Sequence, residues 1–293
     1  GTQTAALGFG GYVGPGTPNV VNTTLEYNGS GWALGGNLVA ARSGMGGTGT
    51  QTAGLGFGGS TTIPRAPGEI ASSEEYDGTS WTEGNNLNDA LVGVGGLGSQ
   101  TAAVAFGGGT PNTNATEHYD GTSWTNVPGT LTSARRYLQG CGTQTAGLTA
   151  GGSGTSTNEY NGTAWTAGGA TPLNTVNATG IGTSETSGMI IGGKEQPSNS
   201  YPSKAVVSRT ISYNGSSWTS LNPQVNAGVV RIGFGSMSAA VIAGSSNPPA
   251  PTTASEIWDS TCWTSGSNLA TEHYNGSGAG TGSSSGLICG GQT

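Results

Sequence analysis

The sequence predicts an all-β protein built from one four-stranded unit that recurs along the chain. The first observation is a six-residue motif that opens on an aromatic residue and closes on tryptophan. Its copies recur about every 40 to 50 residues, a period typical of stacked supersecondary units. The copies are YNGSGW (27–32), YDGTSW (76–81 and 119–124), YNGTAW (160–165), YNGSSW (213–218) and WDSTCW (258–263).

The second observation is a glycine-rich phrase that recurs out of step with the first. It reads GTQTAALGFGG from Gly1, GTQTAGLGFGG from Gly49, GSQTAAVAFGG from Gly98 and GTQTAGLTAGG from Gly142, and weaker copies end at Gly193, Ser245 and Gly291. Because the two phrases alternate, each unit is expected to contain two different hairpins.

The third observation is composition. Glycine accounts for 57 of 293 residues without a G-X-Y period, which excludes collagen. Seven tryptophans and nine tyrosines, with only 8% charged residues, favour a folded chain over a disordered one. The net charge of −7 and the eight scattered Lys and Arg exclude the basic footprint of a nucleic-acid partner. No apolar stretch has the length of a membrane span, so we expect no membrane insertion.

Residues 41–59 predict the first hairpin of a unit, strands a and b. Two runs of small residues, ARSGMGGTG and TAGLGFGG, flank a short polar turn at Gln51. Glycine weakens an isolated strand, so such strands need neighbours on both faces. Strands a and b are therefore expected near the centre of a ring, where sheets converge and large side chains do not fit.

Residues 72–82 predict the second hairpin, strands c and d. Asp77-Gly78 lies between Tyr76 and Trp81, and Asp-Gly favours a type I′ turn with positive φ at both central residues. The two aromatic side chains are expected to pack as a cross-strand pair on the wide outer part of the unit. The sixth copy has Asp259-Ser260, which weakens this turn.

Four strands per unit, narrow inside and bulky outside, describe the blade of a β-propeller. The unit resembles the kelch repeat, since Ala41-Arg42-Ser43-Gly44, Gly58-Gly59, Tyr76 and Trp81 follow in the order of that repeat. More narrowly, GTQTAGLGFGG and EEYDGTSWT are similar to kelch-type repeats of marine bacteriophage virion proteins, especially cyanophage tail-fibre-like proteins. The resemblance implies a kelch-like β-propeller with a virion or extracellular location.

The repeats predict a single propeller domain over residues 1–293 with six blades of four antiparallel strands, seven blades being the alternative. The repeats span 1–41, 42–90, 91–133, 134–174, 175–227 and 228–269, with closing strands in 270–293. The chain has six c–d hairpins but seven strand-b phrases. We expect the terminal strands to close the ring. Because one strand-b copy is spare, its pairing with another chain in a homo-oligomer is an open alternative.

Connections between strands b and c, and between d and a, vary among repeats, whereas the a–b and c–d turns are short and uniform. Because function concentrates on loops held by a rigid frame, the variable connections predict a recognition face. Its candidate binding residues are Tyr12, Arg65, Lys194, Tyr201 and Lys204. The alternative for each is a merely tolerated loop residue.

Arginines are also candidates, because Arg42, Arg135 and Arg231 are predicted to begin strand a on the same face, near the axis. The kelch resemblance implies that arginines at this place hold anionic ligands. The alternative is structural, with each guanidinium donating to loop carbonyls.

Catalytic chemistry finds little support in the residues. Cys141, Cys262 and Cys289 stand at unmatched repeat positions and are expected to be free thiols. Two histidines, His118 and His273, fall on different strands and do not make up the set of a copper oxidase or serine hydrolase. The Asp-Gly-Thr-Ser-Trp turn resembles a sialidase Asp box that has lost a residue. We predict no cofactor, no metal and no enzyme.

The leading functional hypothesis is a non-enzymatic phage tail fibre or appendage module that contacts a host cell-surface glycan or receptor. The second is an architectural virion protein that binds other virion proteins through a blade edge. The third is a sialidase- or oxidase-like enzyme, which would need a deep axial pocket with carboxylates or a metal.

Overall fold

The computed structural model describes residues 6–13, 19–27, 32–62, 67–152, 154–176, 178–195, 205–229, 232–245, 252–266, 277–282 and 285–289. These residues form thirty β-strands. Within them, no helix is both long enough and apolar enough to cross a membrane.

Five sheets have four antiparallel strands each, and we number these blades 2 to 6 after their sequence repeats. The chain begins with β1 (Ala6–Phe9), β2 (Tyr12–Val13), β3 (Asn19–Val20), β4 (Thr24–Tyr27) and β5 (Trp32–Leu34). Blade 2 comprises β6 (Gly46–Thr50), β7 (Ala53–Phe57), β8 (Ser73–Tyr76) and β9 (Trp81–Glu83). Blade 3 comprises β10 (Gly95–Ser99), β11 (Ala102–Phe106), β12 (Thr116–Tyr119) and β13 (Trp124–Asn126). Blade 4 comprises β14 (Gln139–Thr143), β15 (Ala146–Ala150), β16 (Thr157–Tyr160) and β17 (Trp165–Ala167).

The second half of the chain repeats the pattern with insertions. A short strand β18 (Thr175–Val176) precedes blade 5, which comprises β19 (Thr179–Ser184), β20 (Ser187–Ile191), β23 (Thr210–Tyr213) and β24 (Trp218–Leu221). Between β20 and β23 lie β21 (Lys194–Glu195) and β22 (Ala205–Val206). Blade 6 comprises β25 (Ile232–Ser236), β26 (Ala239–Ser245), β27 (Thr252–Trp258) and β28 (Trp263–Ser265), and β29 (Ser277–Gly282) pairs with β30 (Ser285–Cys289).

The inner strands follow one another side by side in the order β6, β10, β14, β19, β25 and β29, which is the arrangement of a β-propeller. The predicted propeller is therefore confirmed, but six four-stranded blades is the wrong number for the described chain. Five blades are complete. The N-terminal sheet has three strands, β1, β4 and β5, and the C-terminal hairpin has two. The N-terminal sheet takes no inner strand into its ladder, because β29 pairs with β30 instead.

The core lies between blades, and in blades 2 and 3 its repeated element is the phenylalanine that ends strand b. Phe57 is fully buried, and its ring centroid lies 4.9 Å from that of Trp124 in the next blade. Glycine in strand a makes the room, since a Cβ at Gly96 would lie 2.7 Å from the Phe57 ring. Phe106 repeats the arrangement. The small inner residues were predicted to lie where large side chains do not fit. This reason is wrong, because the glycines make room for a large aromatic ring from the neighbouring blade.

The second hairpin of each blade pairs its two aromatic residues as predicted. Tyr76 lies directly opposite Trp81, and their ring centroids are 5.1 Å apart. Equivalent separations in blades 3 to 6 are 4.9, 4.7, 4.9 and 5.4 Å. Most of these rings are buried, so the pair fills the outer part of the blade.

The predicted type I′ turn in this hairpin is wrong. Because Tyr76 pairs with Trp81, the turn contains residues 77–80, and positive φ occurs at Gly78 (93°) but not at Asp77. The Asp77 carboxylate instead accepts the backbone N–H groups of Thr79 and Ser80, both at 2.8 Å. An Asx-type turn supplies the hydrogen bonds that a tighter hairpin would have made in its backbone.

Polar contacts also tie four of the five complete blades to the preceding sheet, and blade 3 is the exception, since the Nε1 of Trp124 is buried without a hydrogen-bond partner among the described residues. In the other four, the indole Nε1 of the closing tryptophan donates to the threonine hydroxyl that opens strand c of the preceding sheet. These pairs are Trp81–Thr24 (2.8 Å), Trp165–Thr116 (2.9 Å), Trp218–Thr157 (2.7 Å) and Trp263–Thr210 (2.8 Å). In the a–b turns, the Gln100 amide donates to the carbonyls of Gly54 and Tyr76, both at 2.9 Å.

Candidate functional site

The strand order places two kinds of connection at opposite ends of each blade. The a–b and c–d turns lie together, since the Cβ position of Gly78 is 3.3 Å from Thr52 and that of Gly121 is 3.3 Å from Thr101. We name this end the turn face. The b–c and d–a connections form the other end, which we name the loop face. The loop face is the candidate functional site.

Added structure occurs in the b–c and d–a connections. The b–c connection of the N-terminal sheet contains the β2–β3 hairpin, and that of blade 5 contains β21 and β22, which form a small sheet with β18. In blade 6 the b–c hairpin is extended by pairing of Ser245 with Thr252. Blade 4 has only residues 151–156 in this place. The loop face therefore differs from blade to blade, as predicted from the varying loop lengths.

Two of the five predicted loop residues lie within the described chain. Lys194 is half-buried in β21, where it pairs with Val176 on one side and Val206 on the other. Its neighbour Glu195 forms an ion pair with Arg209. Tyr12 lies in β2 opposite Val20. The other three candidates, Arg65, Tyr201 and Lys204, lie outside the described residues, and binding by any of the five stays a prediction.

Arg42 is 1% exposed and lies beneath the loop face. Its Nη1 donates to the carbonyls of Gly58 (3.2 Å) and Ser72 (2.8 Å), and its Nη2 forms an ion pair with Glu74. Burial lowers the pKa of Arg42, and the Glu74 carboxylate opposes this shift. The guanidinium thus ties the b–c loop to the d–a loop inside blade 2.

Arg135 makes the equivalent contacts in blade 4 and is equally buried. Its Nη1 donates to the carbonyls of Gly151 (2.9 Å) and Ser156 (2.7 Å), and its Nη2 donates to Oδ1 of Asn158 (2.6 Å). Burial lowers the pKa of Arg135 to about 10, so it stays protonated near neutral pH. Both arginines match the structural alternative, and binding of an anionic ligand by either stays a prediction.

The third predicted arginine, Arg231, lies outside the described residues, and ligand binding by it stays a prediction.

The described residues bring together few groups that could perform chemistry. His118 Nε2 lies 2.6 Å from the Tyr160 hydroxyl, and burial lowers the pKa of His118. Cys141 and Cys262 are free thiols, and burial raises the pKa of Cys141 to about 12, which leaves it a poor nucleophile. In the part of the chain that the structure describes, no three His, Cys, Asp or Glu side chains are grouped to hold a metal ion.

A cluster around Tyr137 on the loop face was not predicted from the sequence. Tyr137 is 39% exposed, and the Arg136 guanidinium lies 5.3 Å from its ring centroid. Tyr137 occupies the place of Gly44 and Gly93 in blades 2 and 3 when the inner strands are aligned. An alignment of repeats on strand a would have shown this replacement of glycine by tyrosine.

Comparison with known proteins supports the fold alone. No family model matches the chain, and no curated protein matches it either. Among solved structures, that of YjhT, a propeller protein, is similar with a TM-score of 0.66 over 86% of this chain and 91% of that chain, at 13% identity. The comparisons give no support for kelch family membership or a phage origin. On strand order and structural similarity, this protein is a β-propeller.

Proposed function

We propose that this protein is a non-enzymatic recognition module of a virion or another extracellular assembly, and that it contacts a host cell-surface glycan through its loop face. The observation that carries the proposal is the asymmetry between the two faces. Added strands β2, β3, β18, β21 and β22 belong to connections of the loop face. The turn face repeats one Asx turn in blades 2 to 6.

The frame beneath the loops supports a recognition role because buried hydrogen bonds hold the loop backbones in place. The buried guanidinium groups of Arg42 and Arg135 hold the loop backbones to strand c. A binding surface that is ordered before binding loses less conformational entropy on contact with a ligand. Variable loops on such a frame are the usual arrangement for recognition.

The surface chemistry favours a polar, uncharged ligand. Only 8% of the residues are charged, while the variable loops are rich in Ser, Thr, Asn and Pro. Hydroxyl and amide groups can donate to and accept from the hydroxyl groups of a sugar. The net charge of −7 disfavours anionic partners by long-range repulsion.

A loop graft tests the proposal. Residues 194–209 of blade 5 are replaced by residues 153–156 of blade 4, which follow an equivalent Gly-Gly pair with positive φ. We expect the native protein to bind on a glycan array and the graft to lose that binding while keeping its β-sheet circular dichroism. Glu185→Gln, in the turn face of the same blade, is the matched control and should bind normally.

Equal binding by the graft and the native protein would show that the blade 5 loop is not the contact. Loss of binding in Glu185→Gln alone would move the site to the turn face. No binding by the native protein to any glycan would overturn the proposed ligand class.

A second candidate, an architectural protein joined to other virion proteins or to its own copies, has support from a different observation. Both β1 and β30 carry the strand-b phrase, yet β1 lies in the N-terminal sheet and β30 in the C-terminal hairpin. Two strands with one pattern suit an exchange between copies. Sedimentation velocity across a hundredfold range of concentration tests this, with a monomer throughout contradicting self-assembly.

A further inference from the structure

Tyr137 holds a backbone conformation that its side chain disfavours. Its φ is 56°, and the equivalent residues of blades 2 and 3 are Gly44 (65°) and Gly93 (67°). Left-handed φ is ordinary for glycine but strained for a bulky residue. Tyr137 is one of two non-glycine residues with positive φ in the described chain, the other being Ser260 in a c–d turn. Strain of this kind concentrates at functional sites.

The strained backbone is held from the neighbouring blade. The N–H of Tyr137 donates to the carbonyl of Gly93 at 2.8 Å, and the N–H of Gly93 donates to the carbonyl of Gly44 at 2.7 Å. The Tyr137 ring lies against Gly93, where a Cβ would approach the ring to 2.9 Å. The glycine of blade 3 thus leaves the space that the ring of blade 4 occupies, and the ring remains 39% exposed.

Polar groups from three blades lie in the connections around this ring, since the N–H of Gly109, next to Thr110, donates to the carbonyl of Val92, next to Gly93, at 2.9 Å. Arg136 lies 5.3 Å from the ring centroid, and within the described residues no carboxylate lies in ion-pair distance of its guanidinium. Glu69 of blade 2 accepts a hydrogen bond from the Thr110 hydroxyl of blade 3. The pKa of the Glu69 carboxyl is lowered by the Thr110 hydroxyl and backbone N–H groups, and further by the positive charge of Arg136. A cationic donor therefore lies beside one exposed aromatic ring, and an anionic acceptor lies in the neighbouring b–c connections.

We propose that Tyr137, Arg136 and Glu69 form a subsite for a neutral pyranose sugar at the inner rim of the loop face. The inference rests on the proposed glycan-binding function and gives it a location. The apolar C–H face of a sugar ring packs on an aromatic ring, whose face carries partial negative charge. Arg136 donates to sugar hydroxyl oxygens, and Glu69 accepts from sugar hydroxyl protons.

A neutral sugar fits this set better than an anion. Each sugar hydroxyl both donates and accepts, so it uses the arginine and the carboxylate together. A carboxylated sugar would gain from Arg136 but would be repelled by Glu69 and by the net charge of −7. The sparse charges and the one exposed ring of this subsite fit weak binding of one sugar residue within a longer glycan.

The test uses saturation-transfer NMR on the full chain with methyl glycosides of glucose, galactose, mannose and N-acetylglucosamine, and with galacturonic acid as the anionic probe. We expect binding of at least one neutral glycoside and a loss of at least tenfold in affinity for Tyr137→Gly and for Arg136→Gln. Tyr137→Gly should unfold at the same temperature as the native protein or a higher one, because glycine removes the strain. Leu173→Ala, an exposed side chain in the equivalent connection of blade 5, is the matched control and should bind normally.

Each outcome decides one point. Native binding that survives in both variants overturns the subsite and leaves the proposed function standing. Binding of galacturonic acid alone overturns the assignment to a neutral sugar. No binding by the native protein to these probes or to a glycan array overturns the proposed function together with the subsite. Lower thermal stability of Tyr137→Gly with unchanged affinity would show a purely structural tyrosine.

Discussion

Two contacts between neighbouring blades share one hydrogen bond but differ in the side chain that fills the space between the sheets. They are the contact between blades 3 and 4 and the contact between blades 4 and 5. Both keep the tryptophan bond, from Trp165 to Thr116 at 2.9 Å and from Trp218 to Thr157 at 2.7 Å. Between blades 3 and 4 the Phe106 ring fills the space, with its centroid 5.1 Å from that of Trp165. Between blades 4 and 5 the same place holds Ala150.

At this replacement lies a partly open pocket of about 20 Å³ lined by Ala150, Cys141 and Trp218 among others. Trp218 is only half-buried, whereas Trp165 is buried. The residue opposite this position differs as well. Blade 3 has Gly95, where an added Cβ would overlap the Phe106 ring, and blade 4 has Gln139 in its place. At these two contacts the directional polar bond is kept while the apolar filling varies. The contact between blades 2 and 3 shows the reverse, since the Phe57 ring is present but the Nε1 of Trp124 has no hydrogen-bond partner among the described residues.

The largest expected effect comes from emptying the filled contact. Phe106→Ala should lower the free energy of unfolding by about 3–5 kcal/mol, because it removes a fully buried ring and leaves a cavity between two glycine-lined strands. Urea denaturation measures the change, and Phe57→Ala, which lies in the same setting one blade earlier, should match it. A loss below about 1 kcal/mol would mean that the ring contributes little to the contact.

A double-mutant cycle tests whether the loose contact can be filled. Ala150→Phe alone should destabilise by about 1–3 kcal/mol, because the new ring meets the Gln139 side chain. Adding Gln139→Gly should recover this loss, since it recreates the pairing of Gly95 with Phe106. We expect a coupling free energy of about 1–3 kcal/mol from chemical denaturation. Additive effects would show that the two replacements are independent.

The a–b turns sharpen the comparison further. In blade 4, Gln144 donates to the carbonyls of Ala103 and Tyr119, both at 3.0 Å. In blade 5 the equivalent residue is Glu185, whose Oε2 is buried without a hydrogen-bond partner among the described residues. Glu185→Gln should raise the free energy of unfolding by about 1 kcal/mol, because the amide can donate to the equivalent carbonyls. The reverse change, Gln144→Glu, should be destabilising. If Glu185→Gln destabilises, the turn of blade 5 does not share this geometry.

The smallest effect concerns the c–d turns of blades 3 and 4. Backbone N–H groups of Ser123 and Thr122 lower the pKa of the Asp120 carboxyl in the folded state, while blade 4 has the uncharged Asn161. A carboxyl with a depressed folded-state pKa stabilises above its unfolded pKa, and this contribution is lost as pH falls through the folded pKa. Asp120→Asn should therefore flatten the decline of stability below about pH 4, measured by thermal unfolding. An unchanged slope would contradict the assigned shift.

Much of the frame could be predicted from the sequence because it depends on local pattern. The Tyr–Trp spacing fixes a hairpin, and small residues around Gln51 and Gln100 fix another. The predicted turn type was wrong because the Asp77 side chain accepts backbone hydrogen bonds. The preference of Asp-Gly for type I′ turns does not reveal these bonds. The number of complete blades was wrong because pattern does not decide which of two strand-b copies joins a given sheet.

The site was harder to predict because it depends on register between blades. Sequence alone places Arg42 and Arg135 at the start of strand a. Their carbonyl acceptors lie in loops more than ten residues away along the chain, so the sequence does not show that these contacts bury the two guanidinium groups. Tyr137 is an ordinary tyrosine until the inner strands are superimposed, when its glycine counterparts Gly44 and Gly93 become visible.

The packing of the Phe106 ring against Gly140 has a consequence for the order of the blades. A Cβ at Gly140 would lie 2.6 Å from the ring, so the side chain missing in blade 4 is the complement of one present in blade 3. Blade 3 therefore supplies a ring to its successor, and blade 4 supplies the glycine that receives it, whereas blade 4 itself has Ala150 in place of the ring. Duplicating or shuffling single blades during evolution or engineering preserves packing only where the ring and the glycine that receives it are moved together.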